Sequence, residues 1–293
     1  MNNPIFEDQG EFSFSKYGFE HRKCNRTNTI YCSPRPTEIQ LKKYYEEYEA
    51  PKFWTEVLLS TNLERKILQY QPRVQHLLEI IHKNLKGSNL TAVDLGAGSG
   101  AFTLALKQSN VFDKVLALDF AQDCVDACRK NGLDAIKGSI EDIANNSIEL
   151  LTMNDLIEHV FDPRDFLMKC NKALKIGGYI SIATPNGMGF DFQIFKENTV
   201  NITSPEHLQY FNPESISILL GQLGFEIVEI GTPGILDTDI VLREVRNNNY
   251  DLKARNEYLH HILVECKEEV RIDFQKFLQK NNLSSHMLII AKK

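Results

Sequence analysis

From residue 91 onward, short apolar runs alternate with longer stretches in which apolar residues recur every three or four positions. The runs 91–95, 114–118, 133–137, 148–153, 179–184 and 225–230 predict strands. The stretches 101–108, 121–130, 163–174 and 213–223 predict the helices between them. Strands separated by helices predict an α/β fold with a mostly parallel sheet, doubly wound, covered on both faces. A last apolar run, 286–291, predicts a closing strand. Before it, residues 256–279 carry helical spacing through Leu259, Ile262, Leu263, Cys266, Val270, Phe274, Phe277 and Leu278, which predicts a helical insertion over about 234–283. Upstream, residues 36–49 read as a helix with Ile39, Leu41, Tyr44 and Tyr45 along a face, stopped by Pro51. Residues 63–85 read as a second helical region, with Pro72 starting its later part and Lys86-Gly87 as its stop. Residues 1–35 are polar, dotted with aromatics and without a period. The expected organisation is an accessory segment over 1–60 and a main domain over 61–293.

The most informative turn lies at residues 93–100, VDLGAGSG. Gly96, Gly98 and Gly100 let the backbone turn sharply and approach a ligand closely. A helix starting just beyond points its unpaired N–H groups into the same cleft. The spacing of Gly96, Gly98 and Ala101 also fits the G-x-G-x-x-A form of a dinucleotide fingerprint. Asp94 tilts the reading. A carboxylate there repels a pyrophosphate but attracts a ligand carrying a sulfonium and an ammonium. Asp119, at the end of the second strand, is placed to accept hydrogen bonds from both hydroxyls of a ribose.

These residues resemble the first motifs of the class I S-adenosylmethionine-dependent methyltransferases. The resemblance implies a seven-stranded Rossmann-like sheet with an antiparallel last strand, S-adenosyl-L-methionine as methyl donor, and a cytoplasmic enzyme. It implies donor contacts from Asp94, Gly96, Ala97, Gly98, Gly100, Asp119 and Phe120. Ser139, Ile140 and Glu141 would lie about the adenine, with Ser139 standing where the family usually has an acid. Asn154 would lie near the methionine moiety, and Arg73 or Arg65 would bind its carboxylate; each arginine also reads as a solvated surface residue. Residues 154–163, NDLIEHVFDP, resemble a segment of the ubiquinone-pathway O-methyltransferases and many sugar-modifying ones. Residues 205–211, PEHLQYF, resemble a second family motif. His159 and His207 are accordingly either general bases for a hydroxyl acceptor or braces for the helices that follow them.

A bacterial methyltransferase group with an N-terminal zinc ribbon carries a Pro-Arg-Pro, a Tyr-Tyr and a Trp in the order shown here by Pro34-Arg35-Pro36, Tyr44-Tyr45 and Trp54. Residues 232–241, TPGILDTDIV, resemble a run of the same group; Asp237 and Asp239 either bind substrate hydroxyls or cap a helix. The ribbon itself is degenerate. Cys24-Asn25-Arg26-Thr27 lacks a second cysteine, and a structural zinc site needs four ligands where only His21, Cys24 and Cys32 are at hand. No metal is expected. Cys124 and Cys128, one helical turn apart, read as buried thiols.

Composition narrows the function classes. A net charge of -6 and a pI near 5.8 argue against a general nucleic-acid binder. No apolar run approaches the ~20 residues that span a bilayer, and the first residues lack the basic-then-apolar order of a signal peptide. Six cysteines in 293 residues fit reduced thiols in a cytoplasm. The expected partner is a small, hydroxyl-rich acceptor such as a sugar, nucleotide-sugar or glycolipid precursor, without nucleic acid or membrane insertion. The helical insertion would close over that acceptor or form a homodimer face. Two other readings stay open: a donor-binding protein without catalysis, and a nicotinamide-dependent dehydrogenase.

Overall fold

The computed structural model describes residues 10–47, 53, 56–57, 59–85 and 87–293. Pro51, Trp54 and Lys86 lie outside them. The chain divides into two compact units. The larger comprises Arg35–Ala183, Ser217–Glu229 and Ile289–Lys293; the smaller comprises the residues up to Pro34, Thr184–Ile216 and Ile230–Leu288. The helix Glu38–Glu47 thus belongs to the larger unit. In chain order the described strands are β1 (Glu11–Lys16), β2 (Phe19–Lys23), β3 (Ile30–Cys32), β4 (Thr91–Leu95), β5 (Lys114–Asp119), β6 (Asp134–Lys137), β7 (Ile148–Asn154), β8 (Leu174–Pro185), β9 (Gln209–Tyr210), β10 (Glu226–Gly231) and β11 (His286–Lys292).

Seven strands form one sheet in the order β10-β11-β8-β7-β4-β5-β6. β4 pairs in parallel with both β5 and β7, β5 with β6, and β7 with β8; one end of the sheet is antiparallel. The chain runs outward from β4 through β5 to β6, then returns to β7 on the other side of β4. That reversal opens a crevice beyond the carboxyl ends of β4 and β7, where open α/β sheets take ligands. The strands explain their own position. β7 reads IELLTMN and is buried along nearly its whole length, as a central strand covered on both faces must be.

The larger unit's helices include α1 (Glu38–Glu47), α2 (Leu63–Ile81), α3 (Ala101–Gln108), α4 (Gln122–Lys130) and α5 (Pro163–Ala173). α2 begins where the Asn62 side chain accepts the N–H of Arg65 at 2.9 Å, a regular N-cap. It then runs unbroken through Pro72, so the expected restart at that proline is corrected. The one helical hydrogen bond that a proline lacks is outweighed by the apolar face that continues through it. Val74, Leu77 and Ile81 on that face pack with Phe102, Ala105 and Leu106 of α3, Ala92 of β4, Leu150 of β7, Tyr179 of β8 and Ile290 of β11.

In the smaller unit, β1, β2, β3 and β9 form an antiparallel sheet in that order. No strand is expected there from the pattern of residues 1–35. β9 has two residues, and its register with β3 joins Tyr210 to Ile30. Phe14, Ile30, Phe192, Ile202 and Tyr210 pack together there. The stretch expected to be a helical insertion is helical over Asp237–Arg246, Leu252–Arg255, Glu257–His260 and Glu268–Lys280, with a π-turn at His261–Glu265. Asp237 is buried and accepts hydrogen bonds from Ser284 Oγ, Gln275 Nε2 and the Ser285 N–H. Asp239 lies 3.4 Å from Arg271 Nε. Among the described residues no helix is long and apolar enough to cross a membrane.

Leu77 has no exposed surface at the centre of the α2–α3 layer. Leu77→Ala is expected to cost roughly 2–5 kcal/mol of unfolding free energy, read as a lowered urea midpoint at unchanged slope.

Candidate active site

The glycine loop leaves β4 at Leu95. Gly96, Gly98 and Gly100 all take positive φ, at 68°, 54° and 80°, a region that a side chain strains to enter. At Gly100 a Cβ would also stand 2.6 Å from Leu133 Cδ1 and 3.0 Å from Cys128 Sγ. The loop is tied to β5. The N–H of Gly96 donates to the Leu118 carbonyl at 2.8 Å, and that of Gly98 to Asp119 Oδ2 at 2.9 Å. Cys128 Sγ donates to the Gly98 carbonyl. Burial pushes the thiols of Cys124 and Cys128 up to about 12, so both stay protonated and behave as small apolar groups.

The resemblance implies a donor contact from Asp94, but the structure buries its side chain. The residue is only 1% exposed. Its Oδ2 accepts Thr103 Oγ1 and its Oδ1 accepts Thr152 Oγ1, each at 2.7 Å. Burial raises the carboxyl to about 6; the two hydroxyls pull it back down, and Asp119 adds a smaller upward push. Asp94 is therefore a charge held beneath the loop. Its side chain follows the strand's alternation, which turns it into the layer between β4 and α3. Thr103 and Thr152 escaped the sequence reading. Their signal was a polar residue on the apolar face of α3 and another beside Asp94 in the β4–β7 register.

Asp119 ends β5 and is nearly buried. Oδ2 accepts the Gly98 N–H and Oδ1 the Ala121 N–H, both at 2.9 Å. Burial raises its pKa and these amides lower it. Each carboxylate oxygen has a lone pair beyond the one its amide uses, so the group can still accept from a diol. Next to it Phe120 is 61% exposed, with its ring 5.8 Å from that of Tyr45 in an edge-on arrangement.

Arg73 and Asn154 stand 81 residues apart in sequence and meet in space: Arg73 Nη1 donates to Asn154 Oδ1 at 2.9 Å. The Arg73 guanidinium also lies over the ring of Tyr70, 5.6 Å from its centre. Arg65 shows no such tie to a strand end among the described bonds; its N–H serves the cap of α2. Ile140–Asp142 form a short 3₁₀ turn after β6, with Ser139 as its N-cap. Ser139 accepts the Glu141 N–H and donates its own N–H to Asp142 Oδ2, a capping box. Its hydroxyl is thus engaged in the turn itself, while Ile140 is buried and Glu141 pairs with Lys169.

His159 ends a 3₁₀ turn, Ile157–His159, in the larger unit, with its Nδ1 3.5 Å from Tyr45 Oη. Tyr45 is the neighbour that the sequence reading left without a role. His207 lies in the smaller unit, where Nδ1 donates to the Asn201 carbonyl at 2.9 Å and the ring stands edge-on to Tyr210. His21 and Cys32 are paired across β2 and β3, yet His21 Nε2 goes to Ser204 Oγ at 2.7 Å and Cys32 Sγ donates to the Pro34 carbonyl. Burial lowers His21 to about 4, so it is neutral. Among the described residues no disulfide joins any of the six cysteines.

The crevice therefore offers a glycine loop with a buried anion below it, a diol acceptor at the next strand, an exposed aromatic beside that acceptor, and an arginine tied to the end of β7. A ligand with a ribose and a cationic, carboxylate-bearing tail fits this donor and acceptor set. A family profile described as "Methyltransferase domain" matches residues 65–230, from α2 to β10. The chain belongs to that family, the class I S-adenosylmethionine-dependent methyltransferases, whose methyl donor is S-adenosylmethionine. Curated relatives point the same way. A mitochondrial ubiquinone biosynthesis O-methyltransferase of Candida albicans is 28% identical over 112 residues, 35% of this chain and 34% of that one. A Mycolicibacterium smegmatis protein, named "Probable S-adenosylmethionine-dependent methyltransferase", is 25% identical over 157 residues, 51% of this chain and 58% of that one. The chain thus spans between a third and three-fifths of the length of these relatives. Among solved structures, a SAM-dependent methyltransferase from Archaeoglobus fulgidus shares the fold with a TM-score of 0.51 at 19% identity, over 83% of this chain and 99% of that one.

Asp94 yields a prediction with a definite sign. Its folded pKa lies above its unfolded one, so its contribution to stability is complete below about pH 4 and is lost as pH rises through about 6. Relative to Asp94→Asn, the parent without ligand should lose roughly 2 kcal/mol of stability between pH 4 and pH 7. Urea titrations of both proteins across that range measure it, and parallel curves would contradict it.

Proposed function

We propose that this chain transfers the methyl group of S-adenosylmethionine to a small, hydroxyl-rich acceptor such as a sugar, a nucleotide-sugar or a glycolipid precursor. The observation that carries the donor half is the meeting of separate sequence signals at one crevice: the glycine loop above Asp94, Asp119 on the loop's own amide, and Arg73 on Asn154. In this reading Asp119 accepts the ribose hydroxyls and Phe120 lies along the adenine. Backbone groups of Ile140 bound the same base, since the Ser139 side chain is engaged in its turn. Gly96, Ala97, Gly98 and Gly100 line the approach of the donor, and Arg73, steadied by Asn154, takes the methionine carboxylate. Asp94 acts through its field, favouring a cation above the loop.

Bound S-adenosylmethionine supplies a methyl group made electrophilic by the sulfonium. The chain's share is to hold the reactants in line, which lowers such barriers by roughly 7–11 kcal/mol, and to take the proton of a hydroxyl acceptor. His159 and His207 are the candidate bases. The hydroxyl-rich acceptor is supported by the likeness of residues 154–163 to O-methylating and sugar-modifying enzymes. Pro34-Arg35-Pro36 and Tyr44-Tyr45 support kinship with the group that carries an N-terminal zinc ribbon, here without its full ligand set.

Titration with S-adenosylhomocysteine and with NADH separates the donor assignment from a dehydrogenase. Asp119→Ala should weaken S-adenosylhomocysteine at least tenfold, the cost of two hydrogen bonds to a charged group, while NADH binds neither protein. Tighter binding of NADH would overturn the reading. On a panel of sugars and nucleotide-sugars, His159→Ala or His207→Ala should lower turnover by about 10²–10⁴-fold. Parental turnover in both variants would remove the general-base role.

A further inference from the structure

Arg73 carries a charge that no acidic side chain among the described residues balances. It is half-buried on α2, so water screens it less than at the surface. Its contacts among the described residues are both neutral. Nη1 donates to Asn154 Oδ1 at 2.9 Å, and the guanidinium lies over the Tyr70 ring, 5.6 Å from its centre. None of the ion pairs among the described residues includes it. Asn154 takes one N–H in the plane of the group, and the ring takes its face. The other in-plane N–H groups belong to a side chain that cannot give up its proton, and their natural complement is a planar carboxylate.

Tyr70 fixes that guanidinium. The two residues stand three positions apart on α2 and so share a face of the helix. The Tyr70 ring is itself braced. It stands edge-on to Phe102 with 5.4 Å between centres, and Phe102 is buried in the first turn of α3, straight after the glycine loop. One ring therefore ties the arginine to the helix that continues the loop. Burial raises the phenol's pKa, the charge of Asp155 adds to this, Arg73 opposes it, and Asp94 adds a smaller upward push. Tyr70 thus stays protonated near neutral pH. The ring holds the cation through its quadrupole and leaves the charge uncancelled. A carboxylate in its place would hold Arg73 as firmly and neutralise it.

We infer that Tyr70 is a positioning residue for the donor's carboxylate: its ring, braced on Phe102, holds the Arg73 guanidinium by a neutral contact, with Asn154 as the second, and so keeps the charge and the in-plane N–H groups for the ligand. This rests on the reading of Arg73 as the group that takes the methionine carboxylate. It adds Tyr70 to that site, and it accounts for an amide rather than an acid meeting Arg73 at the end of β7. A guanidinium held in place beforehand loses less freedom when the ligand arrives, which favours binding.

The test compares two ligands by calorimetry on the full chain and needs no acceptor. S-adenosylhomocysteine carries the amino-acid tail; methylthioadenosine has the same nucleoside and sulfur without it. Tyr70→Leu removes the ring and should weaken S-adenosylhomocysteine roughly three- to thirtyfold, with methylthioadenosine within about twofold of the parent. Tyr70→Phe keeps the ring and should restore the parental ratio. Equal losses for both ligands in Tyr70→Leu, as a merely structural role would give, or a parental ratio there, would overturn the inference. So would a Tyr70→Phe as defective as Tyr70→Leu. Asn154→Asp decides the matter if Tyr70→Leu fails to fold. It is nearly isosteric and keeps the bond to Arg73 but adds the cancelling charge. It should weaken S-adenosylhomocysteine about tenfold relative to methylthioadenosine, and a parental ratio would contradict the inference. Arg73→Gln tests the underlying reading separately. A parental ratio in Arg73→Gln removes the carboxylate assignment itself, whereas a lowered ratio there beside a parental one in Tyr70→Leu removes only the role of Tyr70.

Discussion

Two threonine hydroxyls hold the carboxylate of Asp94 beneath the glycine loop, and the character of the crevice follows from that arrangement. A carboxylate removed from water is expensive unless donors replace its hydration. Thr103 and Thr152 replace part of it, and the residual penalty appears as a raised pKa, near 6. Near neutral pH the group is mostly ionised and poorly solvated. Such a charge acts strongly on whatever lies above it, since little water intervenes to screen it. It favours a cationic ligand and disfavours a phosphate.

The sheet order turns this local feature into a site. β4 lies between β5 and β7, so the loop after β4, the acid ending β5 and the amide ending β7 come to the same edge. Asp119 orients the loop through Gly98 and keeps lone pairs for a diol. The α2–α3 layer is also a hydrophobic core of the larger unit, and α2 carries Arg73 to Asn154. Packing and ligand chemistry therefore share residues on one side of the sheet.

Much of this was legible in the chain. Every strand of the large sheet was marked by a run of apolar residues, and Gly96, Gly98, Gly100 and Asp119 were marked by spacing. Arg73 could be named but not chosen over Arg65, because only the tertiary bond to Asn154 distinguishes them. Other features could not be read. β1, β2 and β3 have no apolar alternation strong enough to stand out, since their sheet is completed by a two-residue strand far along the chain. Pro72 signalled a break that a long apolar face overrode. The burial of Asp94 depends on which way a strand residue points. The ligands expected of a ribbon illustrate the same limit. His21 and Cys32 do pair across strands, as ribbon ligands would, but their polar atoms go to Ser204 and Pro34.

The most direct test of the buried charge compares two ligands that differ by the methyl on sulfur. Calorimetric titrations with S-adenosylmethionine and S-adenosylhomocysteine from pH 5 to 7.5 separate the sulfonium's share from everything else the ligands have in common. As Asp94 ionises through about pH 6, the affinity ratio of sulfonium to thioether should rise with pH in the parent and stay flat in Asp94→Asn. A ratio independent of pH in the parent, or the same rise in Asp94→Asn, would contradict the account.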